Sequence, residues 1–273
     1  MVGTFPRTIL RVVDIYLFCG AGVDLLPRGL LSLGWKGQKR KMKGIFLTIE
    51  GLDGAGKTTQ LELLRDWFRK RGYDPLFTRE PGGTRVGDGV RELLLNRDYT
   101  GLVPLAEAFL YSASRAQLVA EVIVPALLAG RIVVCDRFVD SSIAYQGYGR
   151  GLPRDFVEGI NRRATGDLKP HLTLLLDLEP GLRLERLEQQ GEPPRDRLEV
   201  EGDAFYTRVR EGYLELAREN PRRIRVISAR QSIMAVHGQI VQYVAEFLSG
   251  SAPRPREKAG RAKSPRPGGR FLG

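Results

Sequence analysis

Residues 51–58 read Gly-Leu-Asp-Gly-Ala-Gly-Lys-Thr, a complete G-x-x-x-x-G-K-[ST] string between a short apolar run, GIFLTIE at 44–50, and an amphipathic stretch that begins at Lys57. A strand that turns at once into a helix satisfies both flanks. Gly51, Gly54 and Gly56 let the backbone curl so that successive N–H groups point inward, and the helix start adds its positive dipole end, which together make a cradle for phosphate oxygens. The candidate ATP site is therefore Gly51, Leu52, Asp53, Gly54, Ala55, Gly56, Lys57, Thr58 and Thr59. Within it Lys57 is expected to bridge the β- and γ-phosphates and the Thr58 hydroxyl to ligate magnesium. Such a cradle implies a nucleoside triphosphate and leaves the acceptor open.

Five short runs rich in β-branched residues or Leu are expected strands, at 44–50, 74–78, 131–136, 171–178 and 224–228. Helical patterns fill the gaps at about 57–71, 87–96, 104–129, 153–165, 181–190, 202–219 and 231–249. The alternation predicts an α/β fold of the P-loop NTPase kind, a doubly wound parallel five-stranded sheet with helices on both faces. A stretch broken by Pro and Gly at about 190–200 reads as a short lid. At 273 residues and 42% hydrophobic content, one full core can be buried in a single domain over 43–250.

The formal net charge of +11 raises nucleic acid or a membrane surface as a partner, but the charge sits at the ends. Residues 1–42 carry seven Lys or Arg against Asp14 and Asp24, and residues 251–273 carry seven against Glu257, so 43–250 is neutral. A neutral core argues against a nucleic-acid groove and leaves weak binding by the tails. The stretch Ile9 to Leu26 is broken by Arg11, Asp14 and Asp24, poor for a spanning helix or a signal-peptide apolar region, so no membrane role is expected. Only Cys19 and Cys135 are present, and Cys135 falls in a strand-like apolar run, which argues against a disulfide framework and for a reducing cytoplasm. Met42, directly before the first strand, is the expected true start, with a localisation segment or an ordered extension as alternatives for 1–42. The Pro-, Gly- and Arg-rich 251–273 cannot offset its ordering entropy by burial and is expected to be disordered.

Four further elements bear on the acceptor. Thr78-Arg79-Glu80-Pro-Gly-Gly-Thr84 closes the second strand at the carboxyl edge of the sheet, where ligands of open α/β folds bind. On the long helix, Tyr111 and Arg115 are four apart and share a face, which suits a stack on a pyrimidine ring and a hydrogen bond to its edge. In Val134-Cys-Asp136-Arg137-Phe-Val-Asp-Ser141-Ser142-Ile-Ala-Tyr145-Gln146, a buried strand ends in a carboxylate suited to magnesium, and Arg137 is suited to bridging the acceptor phosphate and the γ-phosphate. Arg183, Arg186 and Gly191-Glu-Pro-Pro-Arg195-Asp-Arg197-Leu-Glu199 supply the arginines that phosphoryl transfer needs on a closing lid.

In this order the elements resemble bacterial-type thymidylate kinases, over about residues 43–249. The resemblance implies ATP and magnesium as donor and cofactor, dTMP as acceptor, dTDP for dTTP synthesis as product, and a homodimer paired through helices such as 104–129. It further implies that the Arg79–Glu80 loop flanks the monophosphate, that Arg91 contacts its phosphate, that Ser142 and Gln146 reach the thymine, and that Tyr145 lies where a 2′-hydroxyl would clash. The family's usual stacking residue is Phe, so Tyr111 departs from it mildly. One branch of the family has an arginine in the P-loop where this chain has Gly54, which passes the charge-stabilising role to Arg197, then Arg195. Asp53 lies between donor and acceptor in the family, with the sugar 3′-hydroxyl and magnesium both open as its partner. For Arg79 and Glu80 a mutual ion pair is the competing structural reading, and for Asp136 a helix cap. As a whole, the chain competes with two alternatives: a kinase for another monophosphate, and a P-loop ATPase or switch module whose tails bind nucleic acid.

Overall fold

The structure, a computed structural model, describes residues 42–99, 101–189, 197–198 and 201–251. The tail expectations, most of the 190–200 lid and Arg195 lie outside the described residues. Strand β1 (Ile45–Gly51) is buried at every position and sits in the middle of a five-stranded, all-parallel sheet ordered β2-β3-β1-β4-β5. Its partners β2 (Leu76–Arg79), β3 (Ile132–Asp136), β4 (Leu172–Asp177) and β5 (Ile224–Ser228) match the runs read from sequence to within two residues at either end.

Alternation along β1 divides the core between two helical layers. Ile45, Leu47 and Ile49 pack with Leu64 and Phe68 of α1 (Lys57–Lys70) and with Val236, Ile240, Val244 and Leu248 of α9 (Ile233–Ser251). Phe46 faces the other way, against Leu118 of α3 (Pro104–Leu118), Ile123 of a π-helical turn (Val119–Ile123) and Leu127 of α4 (Val124–Leu128). The three segments after Pro104 are the single run expected at 104–129, widened in its middle. On that face α2 (Arg85–Leu95), α6 (Arg154–Thr165) and α8 (Asp203–Glu219) enclose a further cluster around Tyr206, Val209 and Leu175. Helix α7 (Pro180–Gln189) follows β4.

One helical segment was not expected from the periodicity. Val139–Ser142 forms a single turn, α5, that runs into a π-helical stretch at Ile143–Gly149. Its residues are buried at almost every position, so no apolar stripe of period 3.6 marks it, and wide turns of this kind recur at functional sites.

Candidate functional site

The carboxyl ends of β1, β2 and β3 open on one edge of the sheet, and the site is built there. At β1 the chain turns through Gly51, Gly54 and Gly56, all at positive φ (139°, 78° and 87°), into α1. Gly51 is doubly required, since a Cβ there would also stand 2.4 Å from the Leu176 carbonyl oxygen. Lys57 folds back over the loop, its Nζ donating to the carbonyls of Leu52 (2.9 Å) and Gly51 (3.2 Å) with Asp53 at 3.7 Å. Burial, followed by the charge of Arg137, lowers the Lys57 ammonium pKa. Thr58 and Thr59 are exposed on the first turn of α1, while Leu52 and Ala55 are buried.

Arg137, directly after β3, adopts φ 66°, an uncommon conformation for a residue with a side chain. Its Nη2 donates to Asp53 Oδ1 at 2.7 Å, and its guanidinium lies 5.1 Å from the Tyr145 ring centroid. Burial opposes ionisation of Asp53, but Arg137 and Lys57 outweigh it and hold the carboxyl well below the usual carboxylate range. Tyr145 completes the group, with its hydroxyl 3.4 Å from Asp53 Oδ2. Behind Arg137, Glu50 accepts from the Phe138 N–H (2.7 Å), the Ser141 hydroxyl (2.5 Å) and the Tyr213 hydroxyl (3.0 Å). Burial and the nearby Asp140 push its pKa up to about 8.

A cleft open to solvent leads from Asp53 and Arg137 past Glu80, Arg91, Tyr111, Arg115, Ser142 and Tyr145 to Gln146 and Leu198. Tyr111 and Arg115 do share its wall. Arg115 is fully buried, pairing with Glu80 through two contacts (one at 2.9 Å) and donating to Asn161 and, at 2.7 Å, to Ser142. The Arg79–Glu80 ion pair does not form. Arg79 is exposed, turns 3.6 Å from Asp88 and does not line the cleft, because successive side chains at the end of β2 point to opposite faces. Arg91 donates to the Pro81 carbonyl at 3.0 Å and borders the cleft.

The arginines after β4 are distributed differently from the expectation. Arg186 of α7 reaches the P-loop, donating to the Gly54 carbonyl (3.1 Å) and the Ala229 carbonyl (2.7 Å). Arg183 is buried over the Tyr206 ring at 3.5 Å, and its backbone carbonyl stands 3.5 Å from where a Gly54 Cβ would be. A Cβ at Gly54 would make only ordinary contact with α7, so it is the φ of 78° that favours glycine there. Arg197, the expected phosphate-stabilising arginine, does not point at the P-loop. Its Nη2 lies 2.5 Å from Glu107 and its Nε 3.3 Å from the Leu94 carbonyl, because the fully buried Glu107 draws it to the far end of the cleft.

Glu50, Glu107, Asn161 and Tyr213 join the site although sequence reasoning did not select them. Glu50 is the one acid in an otherwise uncharged strand, and Glu107 stands one helical turn before Tyr111 on the same face.

A parallel sheet whose first strand enters a lysine-bearing glycine loop, beside a cleft lined by Arg91, Arg115 and Arg137, defines a P-loop nucleotide phosphotransferase. The sequence model of the thymidylate kinase family matches residues 49–240. The chain is 51% identical over 207 residues to the thymidylate kinase of Pelotomaculum thermopropionicum, covering 76% of this chain and 95% of that one. With the thymidylate kinase of Caldanaerobacter subterraneus it shares 48% over 210 residues, 77% and 99% of the two chains. The crystal structure of thymidylate kinase from Ehrlichia chaffeensis superposes with a TM-score of 0.59 at 33% identity, covering 74% of this chain and 98% of that one. The chain belongs to the thymidylate kinase family.

Proposed function

We infer that the protein transfers the γ-phosphoryl group of ATP to dTMP, giving ADP and dTDP and so supplying precursor for dTTP. The observation that carries this reading is the single cleft that joins Asp53 and Arg137, beside the phosphate loop, to Tyr111, Arg115, Ser142 and Gln146. In the reaction an oxygen of the dTMP phosphate forms a bond to the γ-phosphorus as the bond to the β,γ-bridging oxygen breaks, and ADP leaves with that electron pair. The attacking oxygen is already ionised, so no general base is required; positioning and charge stabilisation do the catalysis. Lys57 and the inward N–H groups of 51–58 hold the donor. Arg137, fixed by Asp53, spans the acceptor phosphate and the γ-phosphoryl group, and Arg186 adds positive charge at the rim of the loop. At the other end Tyr111 stacks on the base while Arg115, Ser142 and Gln146 read its edge. Tyr145 stands against the sugar. Among the residues expected to bind dTMP, Arg79 is the least suited, since it is exposed and outside the cleft.

The residues present fit a magnesium ion. Asp136 Oδ1 is buried and accepts no hydrogen bond among the described residues, and Thr58 opens α1 exposed. Thr58 and Asp136 would hold the ion, which supplies charge neutralisation between donor phosphates. Homodimerisation through α2 and α3 is supported by Val86, Leu93, Leu105 and Phe109, large apolar side chains left exposed on these helices. A cytoplasmic location accords with the free, buried thiol of Cys135 and with no described helix being long and apolar enough to cross a membrane.

The test is a coupled ADP-release assay of the full chain with ATP, magnesium and dTMP, dUMP, UMP, CMP, GMP or AMP. Turnover should be fastest with dTMP. Equal, slow ADP release with every acceptor would sink the reading.

A further inference from the structure

Glu107 is wholly buried on α3, and three donor side chains from two separate segments converge on it. Gln146 Nε2 lies 2.9 Å from Oε1, Arg150 Nε 3.3 Å from Oε1 and Arg150 Nη2 3.2 Å from Oε2, and Arg197 Nη2 2.5 Å from Oε2. Gln146 and Arg150 come from the end of the π-helical stretch, Arg197 from beyond α7. None of these contacts serves the phosphate loop.

A carboxylate can only accept hydrogen bonds, so the amide of Gln146 turns its nitrogen to Glu107 and leaves its carbonyl oxygen for the cleft it lines. We propose that Glu107 is a positioning residue that sets the polarity of the Gln146 amide, so that the site presents an acceptor to the incoming base and selects one with an imino N–H. Thymine and uracil carry that donor at N3. Cytosine has a bare acceptor there, and two acceptors facing each other in a buried site leave both unpaired. Arg150 and Arg197 supply the charge that lets a carboxylate stay buried in this wall. Arg197 is thereby tied to base selection. The proposal rests on the dTMP reading of the same cleft.

The experiment compares kcat/KM for dTMP, dUMP and dCMP in full-length wild type, Glu107→Gln and Glu107→Asp. A neutral amide at 107 accepts Gln146 in either orientation. In Glu107→Gln the dTMP over dCMP preference should fall at least tenfold, through a higher KM for dTMP with kcat nearly unchanged and dUMP following dTMP. Glu107→Asp, which keeps the acceptor, should retain most of the preference. A folded Glu107→Gln protein with the wild-type preference, or with kcat reduced alike for every acceptor, overturns the proposal. Should Glu107→Gln fail to fold, the side-chain amide signals of Gln146 in wild type decide, identified by their loss in Gln146→Leu. They should move little when dTMP is added, whereas a large shift would show the nitrogen on the base and overturn the proposal. A wild-type chain indifferent to dTMP would instead remove the acceptor reading, and this proposal with it.

Discussion

Asp53 and Arg137 come from the ends of two neighbouring strands and meet with Oδ1 and Nη2 2.7 Å apart. The contact joins the donor loop to the acceptor cleft, because Asp53 belongs to the phosphate loop and also lines the cleft with Arg137. Arg137→Ala should lower kcat about 10²- to 10³-fold, the usual cost of one transition-state donor, with a smaller change in the KM for ATP. The Asp53 carboxyl is depressed in the fold, so its contribution to stability is present above the ordinary carboxylate pKa and is lost only as pH falls through its lower folded value. A kcat–pH profile should therefore show no limb from Asp53 between pH 5 and 8, and a wild-type limb there that Asp53→Asn removes would contradict this.

Glu80 and Arg115 are a second pair, almost completely buried. Removing one partner strands the other charge in the wall of the cleft, so Glu80→Ala should cost about 3–5 kcal/mol of stability, read as a fall in urea midpoint. Restoring neutrality with Glu80→Met/Arg115→Met should recover much of that stability while leaving dTMP binding weak. A double variant as unstable as the single one would show that packing, and not charge, dominates there.

The sheet was legible because each strand is a short run rich in β-branched residues or Leu, and the phosphate loop because its glycines and Lys57 have a fixed spacing. Tyr111 and Arg115 were legible for a similar reason, four residues apart on one helix face. What failed to show were partners distant in sequence. Whether Glu80 would pair with Arg79 next to it or with Arg115, 35 residues on, depends on how β2 meets α3, and no local pattern encodes that. Glu107 reads as an ordinary helix acid until Arg150 and Arg197 are seen around it. The π-helical stretch at Ile143–Gly149 was hidden because burial on every side erases periodicity.

Glu50 offers a test by pH. Burial and Asp140 raise its carboxyl to about 8, so the fold favours the protonated form. A raised acid contributes stability that is complete below its unfolded pKa and is lost as pH rises toward the folded value. Across pH 5 to 8 the melting temperature of wild type should fall relative to that of Glu50→Gln, which has no proton to lose. The variant imitates the protonated acid, since its amide nitrogen can donate to the hydroxyl oxygen of Ser141 or Tyr213, so any gap at pH 5 should be small and wild type should fall below the variant as pH rises. A constant gap would mean that Glu50 is already ionised at pH 5, held so by its three donors.

Arg186 and Arg197 lie toward opposite ends of the site and should fail differently when removed. Arg186 touches the Gly54 carbonyl, so Arg186→Ala withdraws positive charge from the edge of the donor loop. Its loss should appear mainly in kcat, by about 10-fold or more, with the KM for dTMP little altered. Arg197 is held on Glu107 beside Gln146, so Arg197→Ala should raise the KM for dTMP and weaken discrimination against dCMP while kcat changes less. Steady-state kinetics on both variants, with ATP and dTMP varied in turn, separates these effects. If Arg197→Ala instead abolishes kcat and leaves the KM for dTMP intact, the arginine must leave Glu107 during the reaction to reach the transferring phosphoryl group.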